Sequence, residues 1–165
     1  MRRTVVFSTI LGIAIAPLAL AAADSTASLT VNATVSNNCT ITTSALTFSA
    51  YDPIVANATA NSDGTGRVTV ACTKGAAPAI GLGTGSSASG TTRRLSDGAG
   101  NFLVYDMYQD SGRSVSWSTS GGGLMTAAAA TSKAARDFTV YGRIAGNQDV
   151  PAGSYGDTVV ATVNF

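Results

Sequence analysis

Two stretches of the chain alternate strictly between small polar residues and apolar ones. In Ser28–Ser36 the odd positions are Leu29, Val31, Ala33 and Val35, and the even ones are Ser28, Thr30, Asn32, Thr34 and Ser36. From Asp157 onward Val159, Ala161, Val163 and Phe165 point one way, and Thr158, Val160, Thr162 and Asn164 the other. A period of two carried by β-branched residues predicts strands with one buried face. The second stretch closes an expected strand over 154–165, after which the sequence stops, so its remaining neighbour is expected from elsewhere. The first stretch leaves two readings open at this point. It is the first strand of the domain's own sandwich, or it is a strand that serves something else. Asn37-Asn38 breaks its pattern as a turn or hinge does.

Between these stretches the pattern predicts short strands joined by small-residue loops. Cys39-Thr-Ile-Thr and Leu46-Thr-Phe48 are strand-like and end in a turn at Tyr51-Asp-Pro53. Residues 57–66, rich in Asn, Ser, Asp and Gly, predict a loop. Arg67–Thr73 alternates with Val68, Val70 and Cys72 on one face, and Ala79–Gly83 reads as a short strand. Arg93-Arg94-Leu95 is an expected edge strand. Phe102–Gln109 holds Leu103, Tyr105 and Met107 in phase. The turn Asp110-Ser-Gly112 then leads into a return over Val115–Thr119 around Trp117, a hairpin pattern. Gly121–Lys133 is expected as a loop with one helical turn at most. Asp137–Ile144 is a strand with Phe138, Val140 and Gly142 on one face. Pro151-Ala-Gly153 turns into the last stretch. Seven or eight short strands at this spacing predict an all-β sandwich.

Composition supports that class. The acidic residues, nine in number, are all Asp, there is no Glu, and there are ten Lys plus Arg and no His. Without Glu and with little Lys, the usual helix formers are missing. The near-neutral balance offers no basic stripe for nucleic acid. Met1–Ala23 has the pattern of a secretory signal peptide: Arg2 and Arg3, an apolar run over Val5–Leu20, and Ala21-Ala22-Ala23 before Asp24. In an exported chain the two cysteines, Cys39 and Cys72, are expected to form one disulfide, worth roughly 3–4 kcal/mol in the chain-entropy model.

Catalytic chemistry has no visible constellation. With no His there is no general base of the usual kind, and the Asp residues sit mostly in turn contexts such as Asp63-Gly64 and Asp97-Gly98. Gly81-Leu-Gly83-Thr-Gly85 lacks the Lys of a phosphate loop. No metal or cofactor is expected. Asn32, Asn38 and Asn57 open Asn-x-Thr sequons, which matter only in a glycosylating pathway.

A series of segments resembles a known family. In order they are Cys39-Thr-Ile, Leu46-Thr-Phe48, Tyr51-Asp-Pro53, Val68-Thr-Val-Ala-Cys72, Tyr105-Asp-Met-Tyr-Gln-Asp110, Trp117, Val140-Tyr-Gly-Arg143, Gln148 and Pro151-Ala-Gly-Ser-Tyr-Gly-Asp157. From Leu29 to Phe165 the chain resembles the spore coat protein U domain family, which includes major subunits of archaic, Csu-type chaperone-usher pili. The resemblance implies an incomplete immunoglobulin-like sandwich lacking its last strand. It implies three parts: a signal peptide over 1–23, an N-terminal donor-strand extension over 24–38, and the pilin domain over 39–165. Leu29, Val31, Ala33 and Val35 would then enter another subunit's groove. Val159, Ala161, Val163 and Phe165 would form the acceptor groove and its chaperone-recognition face.

The implied partners are a periplasmic chaperone, an outer-membrane usher and other copies of the chain in a head-to-tail fibre. The implied location is the periplasm and then the cell surface, with a role in attachment and biofilm formation. A secreted monomeric sandwich binding carbohydrate, and a spore or cell coat protein, are the alternative expectations. An enzyme is the least expected.

Overall fold

The computed structural model describes residues 23–165, so the signal-peptide reading lies outside the described residues except for Ala23. Backbone contacts divide the chain into Met1–Thr34, described from residue 23, and Val35–Phe165. Among the described residues of the first no strand forms, and Leu29 and Val31 expose 87% and 82% of their surface. The expected strand over Ser28–Ser36 is therefore a bare, irregular segment here. The physical reason is that alternation specifies a face, whereas a strand also needs a hydrogen-bonded neighbour.

Val35–Phe165 carries eight strands: β1 Cys39–Phe48, β2 Ser62–Cys72, β3 Ala79–Leu82, β4 Arg94–Ser96, β5 Phe102–Tyr108, β6 Met125–Thr126, β7 Arg136–Ile144 and β8 Ala161–Asn164. They form a five-stranded sheet in the order β1-β2-β7-β5-β4 and a three-stranded sheet in the order β6-β3-β8. All named pairings are antiparallel. The core between the sheets contains the inward residues of each alternating strand. Val68, Val70 and Cys72 come from β2, Leu103, Tyr105 and Met107 from β5, Val140 and Ile144 from β7, and Ile80 and Leu82 from β3.

The disulfide expected from the cysteine pair is present. Cys39 and Cys72 face each other across β1 and β2 and are bonded. Trp117 is fully buried, and its indole N–H donates to the Ile80 carbonyl at 2.9 Å, so a large apolar body is buried with its one polar atom satisfied.

Several boundaries differ from expectation. The loop expected over 57–66 gives way at Ser62, because Ser62–Gly66 pairs with Ile144–Val140 of β7. Low β-propensity there is overridden by β7 on one side and by Thr47 and Phe48 of β1, paired with Thr65 and Gly64, on the other. The two pieces 39–42 and 46–48 are one strand, β1, with a bulge between Ser44 and Thr47. The return over Val115–Thr119 is held by single bonds, Gln109 N–H to Val115 O at 2.9 Å and Trp117 N–H to Met107 O at 2.8 Å, without becoming a strand. The helical turn is a 3-10 turn at Gly121–Gly123; Ala127–Ala130, where the alanines cluster, is not helical. The last strand is Ala161–Asn164 alone, although the alternation of half-buried and exposed residues runs back to Tyr155.

Candidate functional site

The two sheets are not closed on one side. β1 is the edge of the larger sheet and β8 the edge of the smaller, and an apolar groove opens between them. One lip is Thr43–Phe48. The other is Asp157–Ala161. The floor is Val68, Leu82, Leu95, Tyr105, Met107 and Val140, enclosing a cavity of about 290 Å³. A second cavity of about 660 Å³ shares Leu46, Phe48, Leu95 and Asp157 with the first. It extends the groove between Tyr51–Ile54 and Val150–Tyr155. The two lips run in opposite directions: beyond the shared Leu46, Phe48 and Asp157, the first cavity adds Thr43 and Ala161 and the second adds Ile54 and Val150.

Glycines in the floor shape the β1 lip. A Cβ on Gly142 would lie 2.7 Å from the Phe48 ring and 2.8 Å from the Leu46 methyls, and one on Gly66 would lie 2.9 Å from the Leu46 backbone. Only glycine lets the bulged half of β1 lean over the sheet this far. Phe48 then meets Tyr105 edge to face, with ring centroids 6.3 Å apart.

The opposite lip is anchored by Asp157. Its carboxylate accepts from the Tyr105 hydroxyl at 2.8 Å, the Ser86 hydroxyl at 3.0 Å and the Ser87 N–H at 3.0 Å. Gly85 is at φ 97, and a side chain there would collide with that carboxylate. Partial burial raises the Asp157 pKa, but these hydrogen bonds lower it by more, so the group stays below the ordinary carboxylate range. Burial first, and the bond to Asp157 second, push the Tyr105 phenol well above its usual value. A further bridge, Ser96 with Gly156, ties the lip to β4.

The turn at the far mouth is built by Asp52 and Asn57. Asp52 accepts from the Ile54 and Val55 N–H groups at 2.9 and 3.1 Å, which hold its carboxyl below the usual range. Asn57 is buried, accepts from the Asp52 N–H and donates to the Ala60 carbonyl, so its side chain is committed to the turn rather than open to modification. Gln148 acts as a short substitute strand: its amide accepts from Val104 N–H at 2.8 Å and donates to Val104 O at 2.9 Å.

The structure brings some predicted site residues together and leaves others apart. Val159 and Ala161 line the groove. Val163 is half-buried against the core opposite Ile80 but is not among the groove-lining residues. Phe165, expected to face the groove, lies just beyond β8 and exposes 53% of its surface. Val35 is as exposed as Leu29 and Val31.

Sequence reasoning missed Arg93. It was expected in an edge strand, but it is buried just before β4, and its guanidinium donates to the carbonyls of Gly83, Leu82 and Trp117 at 2.9, 2.9 and 2.7 Å. Adjacent Arg93-Arg94 hides this role, because only the three-dimensional arrangement shows that one faces carbonyls and the other the Phe102 ring.

The Spore Coat Protein U domain profile matches residues 25–162. The chain belongs to this family. It is 38% identical over 158 residues to Protein U of Myxococcus xanthus, covering 87% of each chain. Its fold is similar, with a TM-score of 0.58 and 23% identity, to a chain in the crystal structure of the CsuC-CsuE chaperone-tip adhesion subunit pre-assembly complex. That complex comes from the archaic chaperone-usher Csu pili of Acinetobacter baumannii. The likeness covers 80% of this chain and 41% of that chain, so the chain spans less than half of the neighbour's length. The all-β two-sheet fold of the chain, with its Cys39–Cys72 disulfide, agrees with the expectation from sequence.

Proposed function

We propose that the protein is a structural subunit of a surface pilus, polymerised by donor-strand exchange. The observation that carries this reading is the groove. Two unpaired sheet edges flank an apolar floor, and such a surface is an aggregation hazard unless a strand fills it. An added strand would gain a ladder of backbone hydrogen bonds and place alternate side chains on the floor. The occupant with a suitable pattern is Ser28–Ser36 of another copy, whose Leu29, Val31, Ala33 and Val35 would enter together. In an extended strand these nine residues reach roughly 30 Å. Because each copy both offers a strand and accepts one, the contact does not close, and it generates a filament.

On this reading 24–38 is the extension and 39–165 the pilin domain. Before assembly the groove is held by a periplasmic chaperone, much as the Csu tip subunit forms a pre-assembly complex with its own chaperone. An outer-membrane usher then exchanges the strands. Val159, Ala161, Val163 and Phe165 form the face the chaperone reads. The product is a surface fibre serving attachment and biofilm formation, a role for packing and pairing rather than catalysis. The family's description and the identity to Protein U favour a second reading, a coat built from the same strand exchange.

The test is to express the chain lacking 24–36 with its candidate chaperone. A stable chaperone-bound monomer that forms no fibres is the expected result. Loss of the folded body along with the fibre would return the reading to a self-contained sandwich. Electron microscopy of the intact chain separates a filament from a coat layer.

A further inference from the structure

Two surface clusters sit at opposite ends of β1, one at the groove's far mouth and one away from the groove. The first is the turn after β1, where Ile54 and Val55 are adjacent, aliphatic and 80% and 77% exposed. The turn is not loose: Asp52 and Asn57 bond its backbone from both sides, so the two side chains are held outward. Exposed Asp149 precedes Val150, which lines the same cavity mouth as Ile54, and Asp52 adds a second negative charge. The second cluster lies where β1 begins. Thr73 bonds Asn38 in both directions, at 3.1 and 2.8 Å, and Gly75 N–H donates to Ala130 O. These bonds bring Lys74 near the segment that carries Lys133; both lysines of the chain are exposed at this end.

We infer that the apolar, acidic Ile54–Val55 mouth of one copy packs against the Lys74/Lys133 end of the next, a second joint beside the exchanged strand. This rests on the strand-exchange reading. Ten residues of β1 put roughly 30 Å between the clusters, so they cannot meet within one copy, whereas a head-to-tail neighbour brings them together. Asn37-Asn38 spans at most about 7 Å, so the body behind an inserted strand must sit against the groove's mouth. The charges select which mouth. They also make the inserted strand antiparallel to the Asp157–Ala161 lip and parallel to the Thr43–Phe48 lip.

The experiment uses the full chain in its assembling cells. Val55→Ser should fold, keep the disulfide and still enter fibres, but the fraction of chains in long filaments after shear should fall severalfold. Asp149→Lys should lower it as well, and Lys74→Asp with Lys133→Asp should restore it in the same chain. Filaments of unchanged length and shear resistance from the Val55 variant would overturn the joint. So would a charge reversal that is not rescued. Failure of strand exchange itself looks different: the intact chain would make no filaments, or the chain lacking 24–36 would still make them.

Discussion

Ser28–Ser36 and Asp157–Phe165 have the same binary pattern and opposite fates. In the first, the apolar side chains Leu29, Val31 and Val35 are exposed and no strand forms. In the second, Val159, Ala161 and Val163 are half-buried against the core and Ala161–Asn164 pairs with Leu82–Ala79. The difference is not in the residues. One stretch has a neighbouring strand to complete its ladder, and the other does not. A period of two states that a face is meant to be buried, but it does not say in which molecule.

The comparison can be broken most forcefully by placing the same charge in each stretch. Val159→Asp puts a carboxylate into the groove lined by Leu82 and Met107, where the lining cation, Arg67, is already paired with Asp137 at 3.0 Å, and should destabilise the body by about 3 kcal/mol or more. Val31→Asp should leave the body's thermal midpoint where it was, within about 0.5 kcal/mol, while abolishing fibres. Equal thermal shifts from the two variants would mean that Ser28–Ser36 packs on its own domain.

A smaller effect sharpens the account of the lip that holds the groove open. Asp157→Asn removes a charged acceptor from Tyr105, Ser86 and the Ser87 N–H, which should cost about 1–3 kcal/mol and loosen the lip. Because the Asp157 carboxyl is held below its ordinary value, its contribution is present above the unfolded pKa of about 3.9 and is lost as pH falls through the lower folded value. Asp63, lowered chiefly by its bond to Arg143, acts in the same window. Urea titrations between neutral pH and the acid range should therefore show wild type losing stability below about pH 4, with the Asp157→Asn variant losing less. A parallel decline in both would remove Asp157 from the account.

The smallest expected effect is at Phe165. With half its surface exposed, Phe165→Ala should change the stability of the isolated body by less than about 1 kcal/mol. If it belongs to the chaperone-recognition face, the yield of chaperone complex should fall all the same. Undiminished co-purification would leave the chaperone face to Val159, Ala161 and Val163.

Alternation along β2, β5 and β7 was enough to assign their inward faces, because a half-buried strand cannot place its apolar set on both sides. Val68, Val70, Leu103, Tyr105, Met107 and Val140 all lie where the pattern puts them. The pairing of Cys39 with Cys72 followed from there being two cysteines in a chain with a signal-like start. The chain order of motifs was enough for the family. Pairing decided the rest. Ser62–Gly66 is a strand because β7 lies beside it. Arg93 is buried because three carbonyls converge on it, and local sequence carries no record of carbonyls supplied by Leu82, Gly83 and Trp117. The groove has the same origin. Its lips come from Thr43–Phe48 and Asp157–Ala161, more than a hundred residues apart, and its width depends on Gly66 and Gly142 lying beneath Leu46 and Phe48. Burial of a face is a local property that a period can encode, whereas an absent strand is a property of two edges that only the folded sheets bring together.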